Sequence, residues 1–265
     1  MPLQLETYHT HPQGPSKGIL VLLHGVCFGA WYWHNNWQPW FTHAGYEVIS
    51  MSYRNHGNSE KRGALRWRRI KEYVADVHQV IQACTGPVYL VGHSMGGFVA
   101  QHYLQQYGDQ QVKKAVLLCT VPHTGILSAT LQIARHSPFA FAKALATLSF
   151  LPVFRNNRRL RQLLFSTAAS ETLIEDTLQH LQDESFLAYL DMLLLNLPGR
   201  PRHNVPLLYV AAQDDFLISV AALQKAAARS NARLLVTPGA HNLHMENGWE
   251  PVTRAICDFF DAAGR

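Results

Sequence analysis

Val88-Tyr89-Leu90-Val91-Gly92-His93-Ser94-Met95-Gly96-Gly97 is the stretch on which the fold turns. Its first four residues form an apolar run of strand length, and the residues from Gly97 to Tyr107 carry a helical pattern. Between the two lies G-x-S-x-G. A strand that turns sharply into a helix at a serine lifts that hydroxyl above the sheet, and only glycines fit beside so tight a turn. The helix N-terminus then points free N–H groups and a positive dipole end at the same spot. The motif alone would be weak; a strand running straight in and a helix running straight out make it specific. Ser94 is therefore the candidate nucleophile.

Outward from this turn the same alternation repeats. Ile19–Leu23, Val48–Met51, Ala115–Cys119, Leu207–Ala211 and Leu234–Thr237 are near-continuously apolar, as strands covered on both faces must be. Helical patterns lie near Trp31–His43, Arg68–Ala83, Val220–Ser230 and Glu250–Phe260. The last puts Val252, Ile256, Phe259 and Phe260 on one face, with Pro251 at its start, where proline is tolerated. Such alternation predicts a doubly wound, mostly parallel α/β sheet. From His123 to His203 the alternation stops: about 80 residues show helical periodicity and no convincing strand. Leu187, Leu190, Leu194 and Leu197 are expected to share one helix face there. The predicted organisation is a core of residues 1–122 and 204–265, with a helical cap, 123–203, over the strands' carboxyl ends, where open sheets bind ligands.

A serine hydroxyl needs a base, and the base needs an acid to hold its tautomer. The base is expected after a late strand, where His241 follows Leu234–Thr237, with His244 as competitor. The acid is expected after Leu207–Ala211, which runs into Asp214 and Asp215; the turn after Ala115–Cys119 offers no carboxylate. Asp215 is the choice and Asp214 the alternative.

With these residues in place the chain resembles an α/β-hydrolase of the esterase, lipase and lysophospholipase-like group. The order Ser94, Asp215, His241 is that fold's order. His24-Gly25 resembles its oxyanion turn, Trp31-Tyr32-Trp33 the aromatic opening of its first helix, and Arg54-Asn55-His56-Gly57-Asn58-Ser59 its R-G-H-G-x-S loop. Ala212-Gln213-Asp214-Asp215 sits where the family often has G-x-x-D, which also points to Asp215, and His241 to Glu246 resembles its G-H-x-x-x-x-E ending. The resemblance implies an oxyanion hole at the backbone N–H groups of Val26 and Met95. Ala212, Ala240 and Asn55 stand where the family has glycine, and the cap has no matching motif. Haloalkane dehalogenases and epoxide hydrolases of this fold place Asp at the nucleophile, and its hydroxynitrile lyases place Lys beside the catalytic His; Ser94 and Asn242 differ from these.

The activity implied is hydrolysis of a carboxylic ester of a small hydrophobic or acyl substrate. A thioesterase, lactonase, acyltransferase or carbon–carbon bond hydrolase would use the same triad, and a ligand-sensing protein with slow turnover is the alternative of another class. No cofactor is implied.

Composition narrows the rest. The chain has 265 residues, 48% of them hydrophobic and 15% charged, against about 25% charged in ordinary soluble domains. That excludes disorder, and four widely spaced cysteines exclude a disulfide scaffold and read as reduced thiols. No run of 18 apolar residues suits a membrane span. The N-terminal residues show no secretory signal pattern, so a cytoplasmic location is expected. Net charge is +5 with 15 histidines, yet no nucleic-acid module accompanies it and no His/Cys spacing suits a metal. His9 and His11 read as solvated. Trp31, Trp33, Trp37 and Trp40 either wall a pocket, Trp31 foremost, or pack a helix on the sheet. His24 and His93 read as structural, ordering the oxyanion turn and the elbow; His93 and His244 are further pocket candidates. Pro138–Phe154, with the Arg155–Arg161 group beside it, reads either as a cap helix that lines an acyl-chain tunnel or makes weak contact with a lipid surface, or as ordinary cap packing with a solvated basic edge.

Overall fold

The computed structural model describes residues 2–108 and 110–262, so positions 1, 109 and 263–265 of the expected core lie outside it. The described strands are β1 (Thr7–Thr10), β2 (Ile19–Leu23), β3 (Glu47–Met51), β4 (Val88–His93), β5 (Val112–Leu118), β6 (Leu207–Ala212) and β7 (Arg233–Thr237). They form one sheet in the order β1-β3-β2-β4-β5-β6-β7, parallel except for the antiparallel edge pair β1–β3. Helices α1 (Trp37–His43), α2 (Ile70–Gln82), α3 (Met95–Tyr107), α10 (Val220–Arg229) and α11 (Glu250–Asp261) connect or follow the strands. Between β5 and β6 the chain adds α4 (Leu127–His136), α5 (Pro138–Thr147), α6 (Leu151–Phe154), α7 (Asn157–Leu164), α8 (Glu171–His180) and α9 (Phe186–Leu190).

Successive strand residues divide between two cores, which is why each strand reads as unbroken apolar sequence. Leu20, Leu22, Val48, Val91, Val116, Leu118 and Val210 face Trp37 and Phe41 of α1 and Val252, Ile256 and Phe260 of α11. Val21, Leu23, Met51, Leu90, Leu117 and Tyr209 face Tyr73 and Val77 of α2, Phe98 of α3 and Leu223 of α10. β1 lacks that signal because it is an exposed edge: its sequence is Thr-Tyr-His-Thr, and only its pairing with β3 defines it.

Three helical expectations need correction. The Trp31–His43 pattern is a 3-10 turn, Ala30–Trp33, followed by α1. Pro138–Phe154 is two helices, because Leu148 adopts the left-handed conformation (φ 52°) and ends α5. The leucines 187, 190, 194 and 197 do not share one face: after α9 the chain forms a π-helical turn, Asp191–Leu195, which shifts the register and leaves Leu194 exposed.

The insertion is fastened to the core at defined points. The buried carboxylate of Asp191 accepts from Arg69 Nε at 2.8 Å and from the Ile70 N–H at 3.0 Å, at the start of α2. Ser185 Oγ donates to the Arg68 carbonyl at 2.6 Å, and the Ser166 N–H donates to Glu246 at 3.0 Å, after β7.

Candidate active site

Ser94 follows β4 directly, with φ 53° and ψ −116°, a conformation L-residues rarely hold, and α3 starts at the next residue. The flanking glycines are a packing requirement. A Cβ on Gly92 would stand 2.5 Å from the Gly96 carbonyl oxygen, and one on Gly96 would collide with the Leu23 carbonyl of the neighbouring strand.

His241 Nε2 lies 3.0 Å from Ser94 Oγ, and His241 Nδ1 lies 2.8 Å from Asp215 Oδ2. A carboxylate can only accept, so Nδ1 carries the proton and Nε2 presents its lone pair to the serine hydroxyl. Asp215 is held in turn by the Leu217 and Ile218 N–H groups, 2.8 and 2.9 Å from Oδ1, and its side chain is fully buried. The structure thus brings Asp215 to His241; Asp214 is exposed and does not reach it. His93 turns away from the serine and fixes the base instead: its Nε2–H donates to the His241 carbonyl at 2.9 Å, and its Nδ1 lies 3.1 Å from the Tyr32 hydroxyl. Burial, with the neighbouring His241 and His244, pushes the His93 pKa well down, so it is a neutral support.

Met95 is the first residue of α3, so its N–H has no partner within the helix. Val26 lies on the turn after β2, and its N–H likewise has no acceptor among the described residues. That turn is rigidly kept. His24 Nδ1–H donates to the Gly25 carbonyl at 2.8 Å, and the Tyr53 N–H donates to His24 Nε2 at 3.3 Å. Burial lowers the His24 pKa to about 3, which preserves this tautomer.

Ser94, His241, His93 and Val26 line a cavity whose other walls are almost entirely apolar. Phe28 comes from the turn after β2; Ile126, Ile133, Phe141, Phe150, Val153, Phe154, Leu164 and Met192 come from the insertion. The cavity has a volume of about 80 Å³. Two of the pocket candidates do not line it. Trp31 turns its ring toward His180 of α8, with centroids 5.0 Å apart, and so helps seat the insertion. His244 is buried behind His93, packed among Tyr32, Trp33 and Trp37. Trp33 and Trp37 pack in the core, as the helix-packing alternative has them.

One polar wall was not foreseen. Glu184, between α8 and α9, is buried at the cavity edge. Its Oε2 lies 3.1 Å from His56 Nε2 and 3.4 Å from the Cys27 nitrogen; its Oε1 accepts from the Tyr73 hydroxyl and the Ser185 N–H, both at 2.8 Å. Burial works against both charges. The His56 charge and hydrogen bonds nevertheless hold the Glu184 pKa down, and Glu184 holds that of His56 up. Both His56 ring nitrogens face acceptors, the Arg54 carbonyl at 3.1 Å and Glu184, an arrangement that favours the protonated ring. Gln182 completes the clamp: its N–H donates to the Cys27 carbonyl at 3.1 Å and its Nε2 to the Phe28 carbonyl at 2.7 Å, while the Gly57 N–H donates to its Oε1 at 2.9 Å. The only sequence signal is a polar run, Gln182-Asp183-Glu184-Ser185, directly before the apolar stretch Phe186–Leu190.

Among the described residues, two groups of side chains have metal-ligand chemistry. Cys119, Asp215 and His241 are one, but Asp215 and His241 are already engaged with each other. His9, His11 and Glu47 are the other, at the exposed β1–β3 edge, where His9 Nε2 and Glu47 Oε1 lie 2.6 Å apart. Of the first group only His241 lines the cavity, and none of the second does.

A parallel sheet crossed by a serine elbow, with an acid after β6 and a histidine after β7, defines a hydrolase fold. The chain belongs to the alpha/beta hydrolase family, whose model matches residues 20–255. Among curated proteins, it is 30% identical over 125 residues to the "probable lysophospholipase L2" of Haemophilus influenzae, covering 44% of this chain and 38% of that protein. It is 33% identical over 114 residues to epoxide hydrolase B of Mycobacterium tuberculosis, covering 43% and 30%. The match thus spans well under half the length of these relatives. Among solved structures, an esterase from Exiguobacterium antarcticum superposes with a TM-score of 0.77 at 16% identity over 98% of this chain and 96% of that one, a likeness of fold.

Proposed function

We propose that the protein is a serine hydrolase that cleaves a carboxylic ester of an acyl or otherwise hydrophobic substrate, without a cofactor. The observation that carries the reading is the Ser94–His241–Asp215 chain of hydrogen bonds, 3.0 and 2.8 Å long, opening into an apolar cavity. His241 Nε2 takes the Ser94 proton as Oγ attacks the acyl carbonyl. The negative charge on the carbonyl oxygen falls between the N–H groups of Val26 and Met95, where fixed donors act more strongly than water would. His241 returns its proton to the leaving alcohol; water then attacks the acyl carbonyl as His241 takes its proton, and His241 gives that proton to Ser94 Oγ as the acid leaves. Asp215 stabilises the imidazolium at each stage. The acyl chain lies against Phe28, Ile133 and Phe141, walls that offer it no hydrogen bond to compete for.

The name of the Haemophilus relative agrees with an acyl substrate. The name of the epoxide hydrolase relative does not transfer easily, because Ser94 stands at the nucleophile turn. A panel of p-nitrophenyl esters of graded acyl length tests the reading. Ser94→Ala is expected to abolish turnover and labelling by a fluorophosphonate while its melting temperature stays within a few degrees of the parent. Hydrolysis retained by Ser94→Ala, or a parent enzyme inert to the whole panel and to the probe, would overturn it.

A further inference from the structure

We infer that the outer face of α4, α5 and α7 is a docking surface for an anionic lipid bilayer. This goes beyond the proposed chemistry and does not depend on it. α4 and α5 are two-faced. Ala129, Ile133 and Phe141 line the cavity, while Leu127, Leu131 and Phe139 stand on the solvent side, Phe139 with 90% of its surface exposed. Phe139 borders a shallow groove that it shares with Arg158 and Arg159 of α7. An exposed aromatic ring with guanidinium groups beside it suits the membrane interface, where rings enter the headgroup layer and cations meet lipid phosphates.

Charge selects the occupant. From Gln110 to Ser170 the sequence contains no Asp or Glu, and residues 123–170 carry Arg135, Lys143, Arg155, Arg158, Arg159 and Arg161. Of these six, only Arg161 is paired with a carboxylate among the described residues, Glu171 at 2.7 Å. Uncompensated cations around exposed apolar side chains repel one another across a symmetric self-contact and are attracted to a negatively charged lipid surface. Among the described residues no helix is long and apolar enough to cross a membrane, so the contact is peripheral. Docking this face would set the cavity-lining helices directly above the bilayer.

The test uses the Ser94→Ala protein, so that no lipid is consumed. It is sedimented with vesicles of phosphatidylcholine alone or of phosphatidylcholine mixed with phosphatidylglycerol, at low and high salt. Binding to the anionic vesicles only, weakened by salt, is expected. Phe139→Asp should abolish it. Arg155→Glu with Arg158→Glu, both exposed in the parent, should weaken it by roughly 30-fold or more. The inference is overturned by three results: no binding to anionic vesicles, equal binding by Phe139→Asp, or a concentration-dependent dimer that Phe139→Asp dissociates.

Discussion

Replacing Glu184 by Gln changes one atom in the clamp that joins the insertion to the oxyanion turn. The amide keeps the volume and can still accept from the Tyr73 hydroxyl and the Ser185 N–H. Its NH2 group cannot accept from the Cys27 N–H, and it no longer balances a protonated His56. Breaking a buried ion pair outright costs about 3–5 kcal/mol. His56 can neutralise here, which reduces the loss to about 2 kcal/mol, the cost of an unsatisfied buried donor. For catalysis, removal of an entire oxyanion donor costs about 10²–10³ in kcat. Cys27 follows the donor Val26 by one residue, and Gln182 still grips Cys27 and Phe28. A kcat about tenfold lower is therefore expected, with KM within about twofold, because the donor acts on charge present only in the transition state. The pH dependence has a definite sign. The raised His56 pKa gives stability that is full below its ordinary 6.5 and lost as pH rises through the folded value. The lowered Glu184 pKa gives stability that is full above its ordinary 4.5 and lost as pH falls through the folded value. The pair thus contributes most between those two values, and the melting temperature of Glu184→Gln should fall furthest below the parent there. Steady-state kinetics on the best ester of the panel, the fluorophosphonate labelling rate and melting curves across pH check this. Unchanged kcat and labelling alongside a lower melting temperature would reduce Glu184 to a purely structural tie.

The two neighbouring aspartates should separate cleanly: Asp215→Asn is expected to lower kcat by about 10⁴ through the wrong His241 tautomer, whereas Asp214→Asn, on an exposed side chain, leaves kcat unchanged. Equal losses would contradict the assigned geometry. Lys114 is buried with its ammonium donating to the Phe259, Phe260 and Ala262 carbonyls at the end of α11. Lys114→Met should therefore cost about 2 kcal/mol, seen as a melting temperature lower by roughly 5 °C, with kcat and KM untouched.

The sequence by itself determined the parallel strands, the serine elbow and the place of the histidine. Each depends on neighbours in the chain: a strand covered on both faces must be apolar at every position, and a turn with no room for Cβ atoms must be glycine. Asn55 shows the limit of such reasoning from the other side. It stands where the family has glycine and still holds φ 65°, because asparagine tolerates the left-handed region. Tertiary structure decided what depends on distant partners. The G-x-x-D pattern points to Asp215 over its neighbour Asp214, but the course of the chain after β6 is what turns Asp215 inward to His241. His244 and Trp31 lie close to site residues in sequence, yet packing puts one behind His93 and the other against α8. Glu184 meets His56 across 128 positions, a separation over which no local pattern can act. A buried carboxylate survives only where enough donors converge on it, and that convergence exists only once the insertion has settled on the core.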